Sequence, residues 1–305
     1  MPSSSTAPDV ALVTPQAPTF AQRLRLRTET ADTLLCIGLD PTIDALPAGI
    51  ERSPAGVAEF CRGLIAATTE MAAAFKPNLG FFIGLGREGL DVLWDVRQAI
   101  PADVPVILDC KVGDIGSTAA GYAQGWFGEF AFDAITVNPF LGEDSVAPFL
   151  SDATKGVFLL CKTSNPGSGD VQDLPVGPDG EPLFLHLADT FRTWSERHPA
   201  TIGMVVGATW PEHLAAVRSR CPDQPILLPG LGAQGGDVAA SVQSGTDMYG
   251  HSLLCSASRS IMYASSGHDF AEAARVAATT LRDEINAHRP QRETSSIHSQ
   301  SRTTG

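Results

Sequence analysis

The sequence predicts an α/β protein folded as a (β/α)8 TIM barrel, and three observations carry that prediction. Short apolar runs of strand type recur along the chain with helical patterns between them, as a covered parallel sheet requires. Polar and charged residues collect just beyond the ends of those runs, where barrel enzymes place their reactive groups. No GxGxxG follows the first run, which weighs against the structural alternative, a doubly wound open sheet built around a dinucleotide.

The strand candidates, in order, are 34–39, 74–77, 104–109, 134–137, 156–161, 202–206, 225–228 and 252–256. Each is short and apolar, with β-branched or small residues suited to a sheet buried on both faces. The helical signal is clearest after the first. Val57, Phe60, Cys61, Leu64, Ile65, Thr68 and Met71 fall on one face at spacings of three and four. Segments 212–220 and 270–285 read the same way. The connection 165–182 is long and rich in Gly, Pro and Asp, a length that usually serves a function.

Composition bounds the rest. A chain of 305 residues suits one barrel of about 250 residues with extensions. Residues 1–18 (Ser, Pro, Thr and Ala) and 288–305 (polar) have too little apolar surface to offset ordering, so they are expected to be disordered tails around a catalytic domain at 19–287. The net charge of −13 speaks against nucleic-acid binding, so an anionic substrate must be met by a few placed cations. The 6 cysteines lack zinc or redox spacing and read as reduced structural thiols. The N-terminus has no secretory pattern, and no apolar run approaches the ~18 residues of a membrane span. A cytoplasmic protein is expected.

Asp40 follows the first run, Lys76 lies within the second, and Asp109 and Lys111 close the third. Asn138, Thr163-Ser164-Asn165, the glycine-rich 229–237 and Ser258-Arg259 continue the pattern. On an extended strand Asp109 and Lys111 point to one face and neutralise each other, since inward charges are costly unless paired. Alone, that pair is equally a structural salt bridge. Asp114 shifts the weight toward chemistry, because a second carboxylate near a lysine tunes proton transfer. The 7 histidines form no metal pattern and offer no partner for a serine or cysteine nucleophile, so a metal site is not expected.

Asp109-Cys110-Lys111-Val112-Gly113-Asp114-Ile115 resembles the DxKxxDI signature of the orotidine 5′-phosphate decarboxylase family. Cys36 to Pro41, Phe75-Lys76-Pro77-Asn78, Thr136-Val137-Asn138-Pro139, Thr163-Ser164-Asn165-Pro166, Pro229 to Asp237 and Ser258-Arg259 follow in the family's order. They are similar to its longer, mostly bacterial form. The resemblance implies a homodimer that converts orotidine 5′-phosphate to uridine 5′-phosphate and CO2 without a cofactor, in de novo pyrimidine synthesis. It implies that Lys76, Asp109 and Lys111 form the catalytic array, that Asp114 completes it from the neighbouring subunit, and that Thr118 accompanies Asp114 across the interface. By the same matching Asp40 and Lys76 bind the ribose and Ser164 reads the pyrimidine amide edge, although Thr163 or Asn165 offers the same contact. Gln234 and Arg259, with Pro229 and the backbone near Gly232 and Gly235, hold the phosphate. Lys162 has no role in this scheme and reads as structural or exposed. Val112 departs from the arginine that close members often carry. The rivals are a magnesium-dependent sugar-phosphate decarboxylase or aldolase of the same barrel group, and a catalytically dead nucleotide-binding protein.

Overall fold

The computed structural model describes residues 17–231 and 237–290. Eight parallel strands, β1 (Leu35–Leu39), β2 (Ala74–Pro77), β3 (Ile107–Val112), β4 (Ala134–Val137), β5 (Gly156–Lys162), β6 (Thr201–Val206), β7 (Ile226–Pro229) and β8 (Leu253–Ala257), pair each with the next in chain order, and β8 returns to β1. Between β2 and β3 the ring is closed by two single bridges, Phe75 with Val106 and Asn78 with Asp109. The barrel expected from the alternation of short apolar runs is therefore the fold observed.

Outside the strands lie α2 (Pro54–Thr68), α3 (Gly89–Ala99), α4 (Gly116–Ala123), α5 (Leu183–Ser195), α6 (Pro211–Arg220), α7 (Val238–Gly245) and α8 (Phe270–Ala287), preceded by α1 (Phe20–Thr30). α2 shows how local chemistry sets such a helix. Ser53 caps it by accepting from the Gly56 amide, Pro54 stands where its missing N–H costs nothing, and Val57, Phe60, Cys61, Leu64, Ile65 and Thr68 are buried against the barrel. After β4 the helical connection shrinks to a short helix, Glu143–Val146.

Alternation along each strand splits the apolar residues into two layers. One residue from every strand (Cys36, Ala74, Ile107, Ala134, Phe158, Val205, Leu227, Leu254) joins an inner cluster with Phe20 and Leu24 of α1. α1 thus plugs the amino-terminal end of the barrel. Thr19 and Gln22 form a reciprocal capping box at its start, and Arg23 reaches the Asp133 carboxylate at 2.8 Å and the Thr154 carbonyl at 2.9 Å. The Phe20 ring meets Phe158 edge-on at 6.0 Å. At the other terminus Arg289, just past α8, donates to the Gly250 carbonyl at 3.0 Å with its side chain only 6% exposed, so ordered contacts extend beyond the boundary expected at 287. No helix among the described residues is long and apolar enough to cross a membrane.

Strand limits match the expected ones within a residue or so, except at β3. The run 104–109 was expected there, and the strand lies three residues later. Its pairing with β4 holds at Leu108–Ile135, then jumps to Val112–Val137. Lys111, inside that jump, has a left-handed backbone with φ 46°. Charged residues continue the strand through an irregularity that an apolar count cannot register.

Candidate active site

Asp109 is the hub of the charged residues at the carboxyl end of the barrel. Its Oδ2 accepts from Lys76 Nζ at 3.0 Å and lies 3.4 Å from Asn78 Nδ2; its Oδ1 accepts from Lys111 Nζ at 2.5 Å and from the Thr136 hydroxyl at 3.0 Å. Lys76 and Asp109 are almost wholly buried, with side chains 6% and 11% exposed, whereas the Lys111 side chain is 46% exposed. Asp109 and Lys111 do meet, as alternation suggested, but the bulge rather than a regular strand brings them together.

Burial works against both members of the inner pair. At Asp109 that penalty is outweighed by Lys76 and Lys111, which hold the carboxyl well below the usual carboxylate range. At Lys76 desolvation is likewise outweighed, by Asp109 and Asp40, and the ammonium titrates above its ordinary value. Asp109 accordingly stabilises the fold above its unfolded pKa of ~3.9 and loses that contribution as pH falls through its folded value; Lys76 contributes below ~10.4 and loses it as pH rises through its own. Both therefore stay charged between roughly pH 4 and pH 10.

A cavity of about 220 Å³ opens beside this array, lined by Asp40, Lys76, Asn78 and Asp109 and by residues at the carboxyl ends of β7 and β8 and just beyond them. Asp40 Oδ1 is buried there without a hydrogen-bond partner, an arrangement suited to a donor from a bound molecule. Pro229 and Arg259 also line the cavity, and Arg259 makes no ion pair among the described residues. Two glycines shape the opening. Gly230 turns the chain out of β7 with φ 102°, a conformation other residues rarely adopt. A Cβ at Gly38 would come within 2.7 Å of Ser258 Cβ.

Lys111, Ser164, Asp114 and Thr118 do not line this cavity, the last two being expected to serve the neighbouring subunit. Ser164 is at the end of β5, while Asp114 and Thr118 follow β3. The Asp114 carboxylate accepts from the Ile115 amide at 2.8 Å, and Thr118 is exposed on α4. Gly232, Gln234 and Gly235 are outside the described residues. Asn78 and Thr136 carry contacts to Asp109 that were not assigned from sequence. Both stand in the quoted motifs, but the register that sets Leu108 beside Ile135, and so Thr136 beside Asp109, is visible only in the fold. Val112 is half-buried, and its carbonyl accepts from the Asn138 amide at 2.9 Å, closing the ladder beyond the bulge.

Of the two readings open for Lys162, structural or exposed, the fold takes the structural one. The lysine's ammonium, on a side chain 3% exposed, pairs with Asp173 at 2.6 Å and lies 3.4 Å from Ser168 Oγ, strapping the connection after β5 to the barrel. Gln172 reinforces the strap by accepting from the Thr163 amide at 2.8 Å. Removing the half-exposed partner leaves a buried ammonium, whereas removing the lysine leaves a carboxylate that water reaches. Asp173→Ala is thus expected to cost roughly 3 kcal/mol in urea unfolding and Lys162→Met about 1 kcal/mol. The reverse order would show that the strap is not electrostatic.

Fold and site together define a class, a (β/α)8-barrel enzyme with an alternating lysine–aspartate array set beside a small polar cavity. A family model described as orotidine 5′-phosphate decarboxylase / HUMPS matches residues 33–275. The orotidine 5′-phosphate decarboxylase of Thermomicrobium roseum is 50% identical over 266 residues, 87% of this chain and 94% of the relative. That of an Azoarcus species is 46% identical over 272 residues, 88% of this chain and 99% of the relative. The solved structure of Leishmania donovani OMP decarboxylase superposes with a TM-score of 0.78 at 39% identity, covering 88% of this chain and 98% of that one. The chain belongs to the orotidine 5′-phosphate decarboxylase / HUMPS family.

Proposed function

We propose that this chain decarboxylates orotidine 5′-phosphate to uridine 5′-phosphate and CO2 in pyrimidine biosynthesis, without a cofactor, as a cytoplasmic homodimer. The observation that carries the reading is the Lys76–Asp109–Lys111 chain, held at 3.0 and 2.5 Å beside a cavity that also contains Asp40 and Arg259. Loss of CO2 from the pyrimidine ring leaves a carbanion with no conventional electron sink. The Lys111 ammonium stabilises that charge as it develops and then donates a proton to the same carbon. Asp109 stands near the departing carboxylate and raises its energy, while the fixed lysines supply a preorganised field. The arginine fork of Arg259 suits the phosphate, together with Pro229, Gln234 and the backbone of Gly232 and Gly235. That remote binding energy organises the site for chemistry. Asp40 and Lys76 take the ribose hydroxyls, a role that fits the unpartnered Asp40 Oδ1. Ser164 reads the amide edge of the base.

Asp114 and Thr118 act on the neighbouring subunit's site in this scheme. In support, the segments that follow the adjacent strands β3 and β4 expose Ile115 (58%), Phe140 (82%) and Leu141 (50%), apolar surface suited to a second copy. The cysteines are all unpaired, as suits a reducing compartment.

The deciding experiment mixes purified protein with orotidine 5′-phosphate in EDTA and follows the loss of substrate absorbance. Turnover is expected. None from a folded, dimeric sample refutes the proposal, and activity appearing only with added magnesium favours the sugar-phosphate enzymes that share the family.

A further inference from the structure

We infer that Thr136 is a positioning residue that shapes the bulge in β3 and thereby aims both Asp109 and Lys111. The inference rests on the catalytic roles proposed for those two groups. Leu108 pairs with Ile135 and Val112 with Val137, so Asp109, Cys110 and Lys111 all face the single residue Thr136. A parallel ladder cannot serve three residues with one peptide unit, and polar groups left unmatched at such an irregularity are costly.

Thr136 meets the shortfall from a fully enclosed position, 1% exposed. Its hydroxyl donates to Asp109 Oδ1 at 3.0 Å and accepts from the Lys111 amide at 2.9 Å, and its carbonyl accepts from Cys110 Sγ at 3.3 Å. One oxygen therefore holds the carboxylate by its side chain and the lysine by its backbone. The same carboxylate oxygen receives the Lys111 ammonium at 2.5 Å, which closes a small ring of contacts through both charged residues. The left-handed backbone of Lys111, φ 46°, is disfavoured for a lysine, and the Thr136 contact to its amide helps to hold it. Only a hydroxyl can donate and accept at once from this place. Its β-branched form also suits β4.

The test compares Thr136→Val, which keeps the shape and removes the hydroxyl, with Thr136→Ser, which keeps the hydroxyl. Misplacing the array is expected to lower kcat about 10²-fold in the valine variant while KM for orotidine 5′-phosphate and Kd for uridine 5′-phosphate move less than about threefold. Serine is expected to keep kcat within about fivefold. Thr136→Ala provides the same deletion without a buried methyl, should valine disturb folding. An unchanged kcat in the valine or alanine variant overturns the inference. So does a loss that serine fails to rescue, or one in which KM and thermal stability deteriorate together with kcat, because that pattern marks a purely structural residue. Failure of the wild-type protein to turn over the substrate refutes instead the proposed function on which the inference stands.

Discussion

Lys111→Ala is expected to lower kcat for orotidine 5′-phosphate decarboxylation by roughly 10⁴-fold or more while leaving uridine 5′-phosphate binding within about tenfold of wild type. The size follows from losing together the two roles proposed for Lys111, general-acid catalysis at ~10²–10⁴-fold and electrostatic stabilisation of the developing carbanion at ~10²–10³-fold. The selectivity follows from position. The Lys111 side chain is the most exposed of the three charges, and the cavity floor retains Lys76, Asp40 and Arg259 to hold the nucleotide. Stability should change little, because the Lys111 side chain is half-exposed and Asp109 keeps its hydrogen bonds from Lys76 and Thr136. Single-turnover kinetics and titration with uridine 5′-phosphate separate the two effects. Retained turnover would remove Lys111 from the mechanism, and a parallel collapse of product binding would recast it as a binding residue.

Asp109→Ala carries the second large effect, and it strikes stability as well as activity. The Lys76 ammonium, on a side chain 6% exposed, loses its hydrogen-bonded counter-charge, and an uncompensated buried charge costs about 3–5 kcal/mol. Urea unfolding reads that loss, and kcat/KM should drop at least ~10³-fold because both lysines lose their common anchor. The double variant Lys76→Met with Asp109→Ala separates the causes. Deleting the ion pair as a unit should recover most of the stability lost in the single Asp109 variant, since the Lys76 ammonium is no longer left without its counter-charge, while activity stays lost. Additive destabilisation in the double variant would contradict the coupling seen in the hydrogen bonds. The pH dependence points the same way. The wild-type protein should lose the Asp109 contribution only at pH below ~3.9, whereas the Asp109→Ala variant should lack it throughout.

Most of the architecture was legible without coordinates because a barrel strand is buried on both faces and therefore reads as a short apolar run. Ala74–Pro77 and Ala134–Val137 are cases where the run and the strand coincide. The failure at β3 has a physical cause. The strand Ile107–Val112 carries Asp109 and Lys111, and an apolar pattern stops where charge begins even though the backbone continues. Lys162 shows the complementary difficulty. From sequence Lys162 reads equally as structural or exposed, and only the fold decides between them by bringing Asp173 across an eleven-residue separation to neutralise it.

The sequence by itself determined the class of protein: eight covered strands, polar residues at their carboxyl ends, and the ordered set Lys76, Asp109, Lys111 and Asp114. These are local properties, set by hydrophobic period and by residue type at fixed spacing. Only the tertiary structure decided how the charges meet. It made Asp109 the hub between two lysines, left Asp40 Oδ1 without a partner in the cavity, and set Thr136 opposite a bulge three residues long. Register between strands and the closing of the ring are collective outcomes of packing, and no single segment encodes them.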